Sequence, residues 1–222
     1  MTAVDARTLD TVATGSYHAP HDVLGLHADG EEWVIRARRP LAATVTAALA
    51  DGSSVELSHV RAGVWEGRMS SRPDAYELVT TYEQAPTWTA DDPYRHLPTV
   101  GEIDLHLIRE GRHEELWRVL GARLHDFGTV SGVSFAVWAP NARAVRVVGD
   151  FNDWDGQGHA MRSMGSSGVW ELFVPGLGVG TRYKFELLTP DGGWVTKADP
   201  MARFAEVPPA TASVVTDSAY EW

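Results

Sequence analysis

Residues 132–154 read G-V-S-F-A-V-W-A-P-N-A-R-A-V-R-V-V-G-D-F-N-D-W, and their pattern decides the fold class. Val133, Phe135 and Val137 alternate with smaller or polar residues, the period of a half-buried strand, and Pro140-Asn141 ends that strand in a turn. Val145 and Val147 then alternate around Arg146 as a second strand, which runs out at Gly149-Asp150 into a loop carrying Phe151, Asn152 and Trp154. Folding accounts poorly for a large aromatic at the tip of a polar loop, because a short loop rarely supplies the contacts that bury it. Contact with a ligand is the reading such a residue invites.

Working outward, short apolar runs recur at residues 55–60, 64–69 and 76–82, and Asp51-Gly52 marks a hairpin turn. Short strands, frequent turns and little helical period predict an all-β chain built of β-sandwiches. The order of signals also repeats. Pro40, Ala42 and Val45 match Pro140, Ala142 and Val145; Gly63-Val64-Trp65-Glu66 matches Gly168-Val169-Trp170-Glu171; Asp92-Pro93 matches Asp199-Pro200. Two tandem immunoglobulin-like sandwiches are therefore expected, over residues 16–100 and 127–222, after a flexible arm at residues 1–15. The growing offset places extra residues in the second copy between Val145 and Gly168, the interval holding Phe151, Asn152 and Trp154. Residues 101–126 are expected to form a helical connector packed between the sandwiches, with the helix at residues 114–124, where Leu116, Leu120 and Leu124 recur every fourth position behind the acidic pair Glu114-Glu115. Trp138, Trp170, Trp33 and Trp65 fall within strands and are expected to be structural.

The chain of 222 residues is 44% hydrophobic, enough for two cores, and contains no cysteine, which excludes disulfides and thiolate metal sites. Nothing resembles a secretory signal or a membrane span, so a cytoplasmic protein without membrane contact is expected. A net charge of −11 without a basic patch argues against nucleic acid as a partner. Nine tryptophans supply indoles, whose flat faces suit the apolar face of a sugar ring.

The run F-A-V-W-A-P-N-A followed by V-V-G-D-F-N-D-W resembles the starch-binding module that precedes the catalytic barrel of glycogen branching enzymes and their debranching relatives. The likeness to the branching enzymes continues through P-H-D-V-L-G-L-H at residues 20–27, D-P-Y-R at 92–95, G-V-W-E-L-F at 168–173 and K-A-D-P at 197–200. It implies the amino-terminal, non-catalytic part of an enzyme that transfers α-1,4-glucan segments into α-1,6 branches. The expected partners are α-1,4-glucan, as glycogen or maltooligosaccharide, and a carboxyl-terminal catalytic barrel. By the same resemblance Trp154, Lys184 and Trp194 are the glucan-binding residues, with Asn152 supporting the loop. A purely structural role for each remains open, as does the alternative of a stand-alone glucan-binding or regulatory module.

No catalytic set, metal site or cofactor site is expected. Asp150, Asn152 and Asp153 suggest a calcium loop, but Trp154 and Met161 occupy its fifth and twelfth places. His18, His21 and His27 lack a fourth ligand of obvious type. Glycosyl transfer needs two carboxyl groups held across a cleft, and the family's chemistry resides in a barrel of about 250 residues. The usual W-D-G-R and H-P-M-R of the family also give way here to Gln157-Gly158-His159-Ala160-Met161-Arg162.

Overall fold

The computed structural model describes residues 4–217. They form two compact units that divide between His96 and Leu97. The first opens with α1 (Ala6–Ala13) and continues through β1 (Gly25–Asp29), β2 (Glu32–Arg38), β3 (Thr44–Leu49), β4 (Ser54–Arg61), β5 (Val64–Met69), β6 (Tyr76–Tyr82) and β7 (Ala85–Asp91). These strands pair antiparallel in the order β1-β2-β5-β4-β3-β6-β7. The first half of β4 pairs with β3 and its second half with β5, so one strand serves two sheets. Ile35, Val45, Leu57, Trp65, Tyr76 and Leu78 fill the space between them, and each of the four aliphatic side chains is worth about 1.5–3 kcal/mol on removal from water.

The second unit begins with α2 (Glu102–Arg109), followed by β8 (Gly121–Asp126), β9 (Ser131–Trp138), β10 (Ala144–Gly149), β11 (Arg162–Ser163), β12 (Val169–Pro175), β13 (Arg182–Leu188), β14 (Trp194–Lys197), β15 (Phe204–Ala205) and β16 (Ser213–Val214). A four-stranded sheet runs β11-β12-β9-β8, and a five-stranded one runs β10-β13-β16-β15 with β14 also on β13. Between the sheets the Phe135 and Tyr183 rings lie 4.9 Å apart, and Phe151 turns inward to stack on Phe135 at 5.9 Å. Phe151 thus leaves the loop tip and closes one end of the core.

The repeat is a repeat of devices. Trp65 Nε1 donates to the Arg39 carbonyl at 2.9 Å, and Trp170 Nε1 to the Ala139 carbonyl at 3.1 Å. The Tyr76 hydroxyl donates to Asp92 Oδ2 at 2.7 Å, and the Tyr183 hydroxyl to Asp199 Oδ2 at 2.5 Å, all four groups buried. In each copy the other carboxylate oxygen accepts a backbone N–H two residues on, from Tyr94 or Met201. A buried carboxylate is tolerated only where its lone pairs are met, so the Asp-Pro turn needs its tyrosine.

Three expectations fail. Residues 114–124 are not a helix: Leu116–Arg118 make a single 3-10 turn and Gly121–Asp126 is strand β8. Pairing of Ala122 and Leu124 with Phe135 and Val133 outweighs the period-four leucines. Nor do residues 101–126 form a helical connector between two sandwiches: they belong to the second unit and end in strand β8. Leu105 and Ile108 of α2, with Leu116, pack on Val100, Leu120, Ala136 and Val169 of the second unit, and buried Glu171 of β12 accepts from both the backbone and the hydroxyl of Thr99 at 2.7 Å. The arm expected over residues 1–15 is ordered from Asp5, which caps α1 by accepting from Thr8 N. Leu9, Val12 and Ala13 bury the helix, and Arg38 Nε donates to the Ala13 carbonyl at 2.6 Å. Met1, Thr2 and Ala3 lie outside the described residues. Among the described residues no helix is long and apolar enough to cross a membrane.

Candidate carbohydrate-binding surface

Strand alternation sends Tyr183 and Phe185 into the core and therefore Lys184, Glu186 and Leu188 to the other face of the five-stranded sheet. Register then places their neighbours. Val148 lies opposite Lys184, Arg146 opposite Glu186, and Trp194 opposite Leu188. Lys184 and Trp194 thus share one face, with Arg146 and Glu186 between them.

Arg146 organises this face. Its guanidinium carbon sits 3.4 Å from the centre of the Trp194 ring, and its Nη1 lies 3.4 Å from Glu186 Oε2. The carboxylate orients the cation and the cation stacks on the indole, an arrangement worth about 0.5–2 kcal/mol. Burial raises the pKa of Glu186, and the charge of Arg146 works against that rise. One face of Trp194 is covered by the guanidinium, and the half-buried ring follows the Asp191-Gly192 turn, where Gly192 takes φ 89°. Lys184 Nζ donates to Thr211 Oγ1 at 2.7 Å.

The extra loop of the second copy folds over the same face. Gly156 approaches Arg146, Val148 and Glu186 so closely that a Cβ there would lie 2.8 to 2.9 Å from their side chains. Asn152 holds the loop: its Oδ1 accepts from Gly149 N at 2.9 Å, and its Nδ2 donates to the Val147 carbonyl at 3.0 Å and meets His159 Nδ1 at 3.1 Å. The polar atoms of Asn152 are therefore engaged within the loop. Asp153 and Trp154 follow at φ 52° and 63°, and the Trp154 N–H donates to the Gly149 carbonyl at 3.0 Å. Left-handed backbone is costly for a bulky residue. Trp154 bears that cost while remaining 40% exposed.

Sequence reasoning missed Arg146 and Glu186. The signal was present, since Arg146 alternates against Val145 and Val147, but the stack depends on where β14 registers on β13. Trp138 corrects a second expectation. Trp65 and Trp170 are buried, whereas Trp138 is 55% exposed. It has the opposite parity to Phe135 and ends β9, so it leaves the core and donates from Nε1 to the Ser167 carbonyl at 3.1 Å. Among the described residues no group of three or more His, Asp and Glu side chains is placed to hold a metal ion.

Residues 5–94 match the family described as alpha-1,4-glucan branching enzyme GlgB, N-terminal domain, and residues 119–202 match carbohydrate-binding module 48, the isoamylase N-terminal domain. The chain is 58% identical to the 1,4-alpha-glucan branching enzyme GlgB of Leifsonia xyli subsp. xyli over 99% of its own length and 31% of that relative's. For the enzyme of the same name in Thermobifida fusca the identity is 55%, over 96% of this chain and 29% of the relative. Against GlgB 1 of Streptomyces coelicolor it is 50%, over 99% and 28%. The chain thus spans less than a third of the length of these relatives.

Proposed function

The chain belongs to the amino-terminal region of the alpha-1,4-glucan branching enzyme family, and on that premise we propose that it holds α-1,4-glucan for a larger enzyme whose catalytic part lies outside it. That enzyme, in a cytoplasmic pathway of glycogen synthesis, cleaves an α-1,4 bond, keeps the released segment covalently and passes it to a 6-hydroxyl. The present chain contributes contacts to the polymer and no bond-making group. Trp154 and Trp194 offer indole faces to glucose rings, and Lys184 donates to ring hydroxyls. Asn152 acts by fixing the loop.

The observation that carries this reading is Trp154, an exposed indole on left-handed backbone in a loop clasped by Asn152. Strain that folding does not require points to a surface kept for contact. Covering one indole face, out of roughly 150–250 Å² per tryptophan, yields on the order of 2 kcal/mol at about 25 cal/mol per Å². Two such faces, less the cost of association, give a site of about millimolar affinity. Native gel electrophoresis through glycogen tests this. The 222-residue chain should be retarded, and the Trp154→Ala/Trp194→Ala variant should run close to its mobility in a glycogen-free gel. Equal mobility of the two proteins with and without glycogen would assign these residues to packing instead.

A further inference from the structure

Three arginines from separate segments meet at one edge of the second unit. Arg118 closes the 3-10 turn Leu116–Arg118, Arg123 lies on β8, and Arg203 directly precedes β15. Strands β8 and β15 are the outermost of their sheets. The meeting point is the Trp117 carbonyl, which accepts from Arg123 Nη1 at 2.9 Å and from Arg203 Nη2 at 3.2 Å. A neutral oxygen thus takes one N–H from each guanidinium, out of the five that each fork carries.

The charge gathered here is not neutralised. Among the described residues neither Arg123 nor Arg203 forms an ion pair, and Arg118 is held by Glu115 at 3.2 Å. Burial lowers the pKa of the half-buried Arg123, and the charges of Arg203 and Arg118 push it further the same way. A chain of net charge −11 has carboxylates in plenty, and the fold places them elsewhere. Charge on an outer strand discourages edge-to-edge pairing. One arginine turned to water serves that purpose, which gives no reason to bring two guanidiniums to one oxygen against their repulsion.

Of the three positive charges Glu115 offsets one. The two that remain match a phosphate monoester, which carries about −1.5 to −2 at neutral pH, whereas a single carboxylate would match half of them. Guanidinium forks also fit phosphate oxygens in pairs. Trp117, whose carbonyl gathers the group, is 52% exposed and adds an aromatic surface beside the charge.

We propose that Arg118, Arg123 and Arg203 form a binding site for the phosphate group of a small molecule, with Arg123 and Arg203 donating to its oxygens and the Trp117 ring beside the moiety it esterifies. The site uses none of the residues of the glucan surface. It answers to local charge, so a single dianion binds where a polyanion is repelled by the molecule as a whole.

Titration of the 15N-labelled 222-residue chain at constant ionic strength tests this, with inorganic phosphate, a nucleoside monophosphate and the bare nucleoside as probes. Millimolar phosphate should shift the amides of residues 117–123 and 203–205 along one saturation curve and leave residues 192–194 in place. Arg123→Gln and Arg203→Gln should each weaken that response by about tenfold, the loss of one charge-assisted donor. Tighter binding of the monophosphate than of phosphate would identify an ester as the ligand, and equal binding the phosphate group alone; either outcome upholds the site. Chloride at equal ionic strength giving the same shifts, phosphate giving none, or both variants responding like the parent would overturn it. So would a nucleoside that shifts these amides as strongly as its monophosphate, because the indole and not the arginines would then carry the binding. If Arg123→Gln does not fold, the parent spectrum and the exposed Arg203→Gln decide.

Discussion

Asn152 and Trp154 sit two positions apart and divide the work of one loop. Asn152 satisfies Gly149 N and the Val147 carbonyl, groups that ladder pairing would otherwise serve. Replacing it with alanine strands both, at about 1–3 kcal/mol. Trp154 is 40% exposed, and among the described residues its side chain makes no hydrogen bond. Asn152→Ala should therefore lower the urea midpoint of the second unit and lose glycogen retardation with it. Trp154→Ala should keep stability within about 1 kcal/mol and lose retardation alone. Equal stability losses in the two variants would mean that Trp154 is a packing residue. The same contrast explains what sequence could offer at this scale. A tryptophan in a polar loop is conspicuous, whereas the amide that positions it is one of many polar residues and reveals its role only through its partners.

At the scale of elements the repeated Asp-Pro turn makes two predictions. Gly25 and Gly121 open matching strands at φ 91° and 93°, yet a Cβ would fall 2.5 Å from the Tyr94 carbonyl oxygen in the first case and 3.2 Å from that of Met201 in the second. Both alanine variants pay for left-handed backbone, about 1 kcal/mol or more, and only Gly25→Ala adds a backbone clash. Amide exchange should accelerate more in β2 of Gly25→Ala than in β9 of Gly121→Ala. The second prediction concerns pH. Burial raises the pKa of Asp199, and the hydrogen bonds from Tyr183 and Met201 pull it back. An acid whose folded pKa lies above its unfolded value, near 3.9, costs stability as pH rises between the two, because the unfolded chain releases its proton first. Tyr183→Phe removes one of the restraining hydrogen bonds. Its deficit in urea unfolding should be smallest below about pH 4 and widen toward neutrality; a deficit independent of pH would show that the tyrosine acts by packing alone. These turns were legible in the sequence because Asp-Pro, Gly-Val-Trp-Glu and the Pro turns each carry a residue-specific contact, so two copies had to keep the same letters. Strand β8 and helix α2 were not. Leu116, Leu120 and Leu124 satisfy a helical period by themselves, and what overrides it is the edge of β9, a partner that local sequence does not display. Helix α1 did show its signals, Asp5 ahead of Thr8 and then Leu9, Val12 and Ala13, but eight residues are too few for periodicity to stand out. At the site, alternation gave Lys184 its face, while Arg146 on Trp194 awaited the pairing of β13 with β14.

For the molecule as a whole, a net charge of −11 decides how the proposed glucan binding should respond to salt. Screening acts on contacts between charges, and an uncharged glucan has none to offer. Stacking on Trp154 and Trp194 and hydrogen bonds from Lys184 to hydroxyls should persist at ionic strengths that dissolve an electrostatic complex. The Arg146–Glu186 pair, with side chains 9% and 21% exposed, is sheltered from the same screening. Retardation in glycogen gels should therefore hardly change between low and high salt, whereas an anionic polymer of similar size should retard the chain little at any salt, since its charge is repelled. Loss of glycogen retardation on adding salt would move the binding from indoles to a charged patch. The polymer itself supplies the remaining affinity. A millimolar site gains by rebinding along a chain of identical epitopes, so glycogen should be held more tightly per glucose unit than maltoheptaose, and Trp154→Ala/Trp194→Ala should abolish that excess together with the binding itself.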